Sequence, residues 1–270
     1  MRRVDTGAVA AVVRKDLLAV TRSKAVLLPM LVVPLLLLVV LPVVLGLAAR
    51  SRTSPDISSF LDQLPGDVAG PVARLPRQEQ LLVLVNGYLL APLFLIVPLM
   101  VSNVLAADAF AGEKERRTLE AMLHLPIHTA DLFLAKLLTA FLPAVAVSWA
   151  GFACFAVVAN GVAWPVVERV FLPTRLWLVM ILWVAPAVAA LGLGVMVRVS
   201  ARARTTQEAN QLGGVIVLPL LFLAVGQSTG LLLVDLPVAI AIGAVIWLAA
   251  VSLCWRGARR FTRDELAAAL

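Results

Sequence analysis

The sequence is poor in charge. Only 14% of its 270 residues are Asp, Glu, Lys or Arg, while 61% are hydrophobic and the mean hydropathy is +0.98. Soluble domains carry about 25% charged residues. Several apolar runs reach the roughly 20 residues that a helix needs to cross a bilayer. Because lipid offers no partner to free backbone groups, open sheets are excluded, and the composition predicts an all-α, polytopic membrane protein.

Motifs for nucleotide and metal chemistry are also missing. The sequence contains no GxxxxGK[ST] phosphate loop and no HExxH zinc motif. His124 and His128 are four residues apart, but Pro126 breaks the helical register that a shared metal would need. Cys154 and Cys254 lie in separate apolar runs, which disfavours a disulfide. We therefore expect that this chain has no catalytic residues and binds no metal or cofactor.

Six apolar stretches predict transmembrane helices within one membrane domain, residues 1–270. They cover residues 25–49, 81–107, 132–158, 176–197, 212–234 and 236–255. Asn160-Gly161 is expected to end the third span, and Gly192 and Gly194 in the fourth would allow close helix contact. Ionisable residues are absent from the middle of all six spans, which disfavours an ion-coupled carrier or a voltage sensor.

Outside the spans, residues 1–24 predict an amphipathic helix in the membrane interface, with its apolar side towards lipid and its basic residues towards anionic headgroups. Its apolar positions are Val9, Val12, Val13, Leu17 and Val20. Residues 50–80 are rich in Ser, Pro, Gly and Asp and predict an extracytoplasmic loop.

The distribution of basic residues predicts the orientation. With six spans, 17 of the 23 Lys and Arg residues lie on the side of the two termini. The positive-inside rule places that side in the cytoplasm. The same side carries the whole net charge of +7, so nucleic-acid binding is not needed to explain it.

The densest internal charge lies between the second and third spans. Six of the eight residues from Glu113 to Glu120 are charged, and apolar residues recur around them at roughly helical spacing. We expect residues 108–128 to form a cytoplasmic helix that Pro126 ends, since the residue before a proline avoids the helical region. A charged, amphipathic helix on an otherwise lipid-soluble chain favours a docking site for another protein.

This segment resembles the type-2 ABC-transporter permease family. The family pattern is F-x-G-E-K-E-R-x-T-L-E-x-L-L-x-x-P, followed by L-x-x-K at the next span. It is matched here by Phe110, Gly112, Glu113, Lys114, Glu115, Arg116, Thr118, Leu119, Glu120, Met122, Leu123, Pro126, Leu132 and Lys136. The chain has Arg117 where the family commonly has Gly, and Met122 where Leu is frequent.

The resemblance implies the membrane subunit of an ATP-driven exporter in a bacterial inner membrane. Two six-span subunits, as a homodimer or heterodimer, would each dock on a separate ABC ATPase that uses ATP and Mg. Residues 108–128 would be the coupling helix, with the acidic side chains facing basic residues of the ATPase. The docking residues would be Phe110, Glu113, Lys114, Glu115, Arg116, Arg117, Thr118, Leu119, Glu120, Leu123 and Pro126.

The cargo does not follow from the sequence. The apolar spans favour a hydrophobic or amphipathic substrate, with Asn86, Asn103 and Gln227 as candidate polar positions on the translocation path. Two alternatives stay open. One is a membrane scaffold or accessory subunit of an ATPase complex that transports nothing, and the other, less favoured, is a membrane enzyme.

Overall fold

A computed structural model describes residues 5–22, 28, 30, 32, 34–50, 57–62, 66–116, 127–203, 205–228 and 236–260. All regular structure in these ranges is helical, which confirms the all-α class. The helices, in chain order, are α1 (Thr6–Arg22), α2 (Leu41–Arg50, directly preceded by the π-helical turn Leu36–Val40), α3 (Ser58–Leu61), α4 (Gly66–Ala73), α5 (Arg77–Glu115), α6 (Thr129–Val167), α7 (Arg175–Arg202), α8 (Thr206–Gly214), α9 (Val217–Ser228) and α10 (Leu236–Arg260).

Four of the described helices, α5, α6, α7 and α10, are long and apolar enough to cross a membrane. They cover the second, third, fourth and sixth predicted spans. The first predicted span is represented by a shorter apolar helix, Leu36–Ala48, and the fifth falls on α8 and α9. Residues 23–27 and 229–235, which belong to those stretches and their flanks, lie outside the described residues.

The helices extend further than the hydropathy pattern predicts. The region expected to be a loop, 50–80, contains α3, α4 and the start of α5. Only residues 203–205 separate α7 from α8. Hydropathy marks where side chains prefer lipid, whereas the backbone of a helix continues into the polar regions without any change in its own hydrogen bonding.

The expected break at Asn160-Gly161 is wrong, because α6 continues to Val167. The Asn160 Nδ2 donates to the carbonyl of Ala156, 2.8 Å away, within the helix. Its Oδ1 accepts from the backbone N–H groups of Phe171 and Leu172 at 3.0 and 3.2 Å. Asn160 therefore holds the loop after α6 against the helix.

Helix α7 packs between α5 and α10 through two glycines on different faces. A Cβ at Gly192 would lie 2.6 Å from Ser102 Oγ and 2.8 Å from Asn103 Oδ1 of α5. A Cβ at Gly194 would lie 2.7 Å from Cβ of Leu253 in α10. The predicted close contact at both glycines is confirmed, since each neighbour occupies the space that a larger residue would need.

An aromatic cluster fills the core near the start of α7. The Trp177 ring, which is fully buried, lies 5.4 Å from the centroid of Phe94, 5.1 Å from Phe152 and 5.0 Å from Phe155. Its indole Nε1 donates to the backbone carbonyl of Asn86 at 2.9 Å. The cluster joins α5, α6 and α7 because each helix contributes at least one ring.

Helix α1 packs on the protein. Val9 and Val12 are buried against Leu132 and Ala135 of α6. The sequence predicts that these valines face lipid, and this expectation is wrong for both of them. The first turns of α6 offer an apolar surface that the amphipathic face of α1 covers.

Candidate functional site

The charged segment begins as a continuation of α5. Past Ala107 the helix passes through a π-helical turn, Asp108–Gly112, which we call the π-turn, and ends with Glu113–Glu115. The expected separate helix over 108–128 is thus joined to the second predicted span at its start. Residues 117–126 lie outside the described residues, including the predicted docking positions Arg117, Thr118, Leu119, Glu120, Leu123 and Pro126.

Glu113 is turned into the protein. Its side chain is 8% exposed and forms an ion pair with Lys136 of α6, whose side chain is 0% exposed. The Lys136 Nζ also donates to the backbone carbonyl of Ala109 at 2.9 Å. Glu113 was predicted to face a partner, but it faces α6. Lys136 lies about 10 Å along the axis of α6 from Thr129, and this position is beside the end of α5. The negative charge of the Glu113 carboxylate is therefore balanced by the Lys136 ammonium group within the same chain.

Glu115 joins the segment to α8. Its Oε2 accepts from the backbone N–H of Thr206 at 2.9 Å and from the Thr206 hydroxyl at 2.8 Å. The first N–H groups of a helix have no partner within the helix and attract a negative charge. A second cap comes from the residue before α8, where the Thr205 Oγ1 accepts from the backbone N–H of Glu208 at 3.1 Å.

Arg116 folds back over the π-turn. Its Nη1 lies 3.0 Å from Oδ1 of Asp108, and this hydrogen bond raises the pKa of the Arg116 guanidinium above its ordinary value. A Cβ at Gly112 would lie 2.9 Å from Asp108 Oδ1 and 3.1 Å from Arg116 Nη2. Because Gly112 has no side chain, it leaves the space in which the ion pair between Asp108 and Arg116 forms. Lys114, on the other face, is half-buried.

Phe110 is half-buried and packs against α6. Its ring centroid lies 6.0 Å from that of Phe133 and 5.9 Å from Nζ of Lys136. It was predicted as an apolar anchor for a partner, and in the structure a large part of its surface is already used to hold the π-turn against α6.

The three polar positions predicted for a translocation path are not brought together. Asn86 and Asn103 are buried, about 25 Å apart along α5. Their Nδ2 groups donate to the carbonyls of Leu82 at 3.1 Å and Gly213 at 3.4 Å, while neither Oδ1 has a hydrogen-bond partner among the described residues. Gln227 lies in α9, and its side chain lies outside the described part of the chain.

The structure adds three residues to the site that the docking prediction left out: Asp108, Lys136 and Thr206. Lys136 gives a signal in the sequence, since it is a single basic residue within the apolar run after Asp131. Thr206 gives none, because it is an ordinary polar residue in a polar stretch, and Asp108 is the first charged residue after the second predicted span. Within the described ranges, no group of three or more His, Cys, Asp or Glu side chains could hold a metal ion.

The comparisons with known proteins identify the family. The family model for ABC-2 type transporters matches residues 7–225, which include α1 to α8 and most of α9. No curated protein matches the chain. The matched region contains the π-turn, Glu113 and Lys136. Since it covers most of the sequence, the chain belongs to the ABC-2 type transporter family and is the multi-pass permease component of an ABC transporter.

Proposed function

We propose that this permease exports a hydrophobic or amphipathic substrate from a bacterial cell, as one of two paired membrane subunits, and that a separate ABC ATPase docks on residues 108–128. ABC-2 permeases generally work with an ABC ATPase. The sequence has no phosphate loop, so ATP and Mg would be bound by that partner. The basic residues on the side of the termini support a cytoplasmic position for the docking segment.

The observation that carries the proposal is the attachment of the segment to three helices. It continues directly from α5, it is bound to α6 through Glu113 and Lys136, and it is bound to α8 through Glu115 and Thr206. A push on the segment by a partner would therefore move α5, α6 and α8 together. A segment that only linked two spans would not need these bonds.

The attachment also divides the roles of the charged residues. Glu113 holds the segment from inside and is withdrawn from the docking surface. Glu115 and Arg116 are exposed, and Lys114 is half-buried, so these three remain available to a partner beside their own bonds. Leu119, Glu120 and Leu123 complete the proposed surface from the part of the chain that the structure does not describe.

Docking is tested by purifying the full chain from its native membranes and identifying the ATPase that accompanies it. Charge reversal by Glu120→Lys should weaken that association about tenfold or more, because it sets like charges against each other across an interface. Arg14→Glu, an exposed substitution on α1, is the matched control and should leave the association unchanged. Equal effects of the two substitutions would contradict docking at 108–128.

Transport is tested with the complex in liposomes. Hydrolysis of ATP that a panel of amphipathic compounds stimulates, together with their vectorial movement, is the expected result. A complex that binds an ATPase but moves none of its compounds would favour the scaffold. Chemical conversion of a compound without any ATPase would favour the membrane enzyme.

A further inference from the structure

Lys136 is a fully buried cation in α6, a mostly apolar helix. Its Nζ contacts the Glu113 carboxylate and the Ala109 carbonyl, both of which belong to the end of α5. Asp16 of α1 acts electrostatically on Glu113 together with Lys15, whose Nζ lies 3.2 Å from Asp16 Oδ1, while Asp16 Oδ2 is buried without a hydrogen-bond partner among the described residues. The end of α5 and the start of α6 thus meet around a buried cation.

Stability alone gives a poor reason for such a cation. A buried ion pair can often be replaced by apolar residues of similar size with no loss of stability, whereas it can fix the register of the elements it joins. Phe133, three residues before Lys136 in α6, packs its ring against Phe110 of α5, so an apolar side chain fits this part of the interface. The ion pair therefore points to a particular alignment of α5 and α6.

The contact between Lys136 and the Ala109 carbonyl shows that the π-turn is the part of α5 that is held against α6. Ala109 lies in the π-turn, where the helical hydrogen bonds change register and a carbonyl is free to accept from outside the helix. Lys136 binds this carbonyl and the carboxylate of Glu113, which follows the π-turn directly. A single ammonium group therefore spans the π-turn from its second residue to the residue after its end.

We propose that Lys136 is a positioning residue for energy coupling: by binding Ala109 and Glu113 together, it keeps the π-turn from unwinding, so that movement of the docking segment is passed to α6. This inference rests on the proposed function, in which an ATPase moves that segment. Without Lys136 the same push would be absorbed at the π-turn, and the ATPase would bind without moving α6.

The chain supplies a matched control at the other end of α5. Arg169, just after α6, forms an ion pair with Glu79 at 2.8 Å. This pair joins the same two elements about 50 Å away along α5. The Arg169 side chain is 50% exposed, and the pair makes no contact with the π-turn.

The experiment measures how α6 responds to nucleotide in the reconstituted complex with its co-purified ATPase. Spin labels at Val157 of α6 and Leu248 of α10, both strongly exposed, report the distance between these helices after Cys154 and Cys254 are replaced by Ala. The probe is ATP and Mg with vanadate. In the otherwise unchanged chain, trapping should shift the distance distribution.

Lys136→Met should reduce that shift at least by half while ATPase binding stays within about twofold. The double variant Glu113→Gln with Lys136→Met removes the unpaired charge and should fold even if the single variant does not, and it too should lose the shift. The control, Glu79→Gln with Arg169→Met, should keep it. A full shift in Lys136→Met or in the double variant overturns the proposal.

A charge swap separates the two contacts of Lys136. Glu113→Lys with Lys136→Glu restores an ion pair, but a carboxylate at position 136 has no N–H to donate to Ala109. The swap should therefore not restore the shift, and full restoration overturns the role of the π-turn. If the unchanged chain neither binds an ATPase nor responds to trapping, the proposed function itself fails, which is a different outcome from a normal response that survives without Lys136.

Discussion

The close approach of α7 to α5 can be tested with a single methyl group at Gly192. Its Cβ would lie 2.6, 2.8 and 2.9 Å from atoms of Ser102, Asn103 and Leu99, all in α5 and all buried. Overpacking of this kind costs about 1–3 kcal/mol. Replacing Gly by Ala inside a helix also contributes about 1 kcal/mol of helix propensity, which offsets part of that cost. Gly192→Ala should thus lower the free energy of unfolding by up to about 2 kcal/mol.

Gly161→Ala is the matched control. Gly161 also lies inside a helix, α6, but nothing lies within 4 Å of the position of its Cβ. The gain in helix propensity is then not offset by any steric clash, and the variant should be about 1 kcal/mol more stable. The difference between the two variants isolates the packing cost, about 1–3 kcal/mol. Unfolding in mixed micelles with increasing SDS, followed by circular dichroism, gives both values. Equal free energies of unfolding would refute the close approach.

Two further predictions concern polar side chains that hold a loop or the start of a helix. Asn160→Ala leaves two partly buried amides after α6 without an acceptor and should destabilise the protein by about 1–3 kcal/mol in the same unfolding assay. A change below that range would show that water replaces the side chain. Glu115→Ala should speed hydrogen exchange of the Thr206 amide and spare that of Glu208, whereas Thr205→Val should do the reverse, because each carboxylate or hydroxyl caps a different amide. Mass spectrometry of the first turn of α8 measures both, and equal acceleration of the two amides in either variant would contradict this assignment.

Local features of the sequence were enough to predict the helical class, the family and the position of the charged segment. The family pattern is contained within a short stretch, and the apolar runs are continuous, so neither depends on knowing which residues meet in space. Gly192 and Gly194 were predicted correctly for the same reason, since a small residue on an apolar helix favours close contact wherever its neighbour lies.

Features that depend on distant residues were not predictable. A glutamate in a charged block has the same local signature whether it faces solvent or a buried partner, and the partner of Glu113 lies 23 residues away. Asn-Gly is typical of the end of a helix, but the Asn160 side chain forms hydrogen bonds with the backbone of Phe171 and Leu172, which lie in a loop several residues later. In both cases tertiary contacts override a local preference.

The ion pair between Glu113 and Lys136 has a consequence for how such proteins diverge. It fixes both ends of the stretch between these residues on the membrane helices, independently of what lies between them. Under the proposed function, we therefore expect that docking residues between Glu113 and Lys136 can diverge together with the ATPase while α5 and α6 keep their alignment.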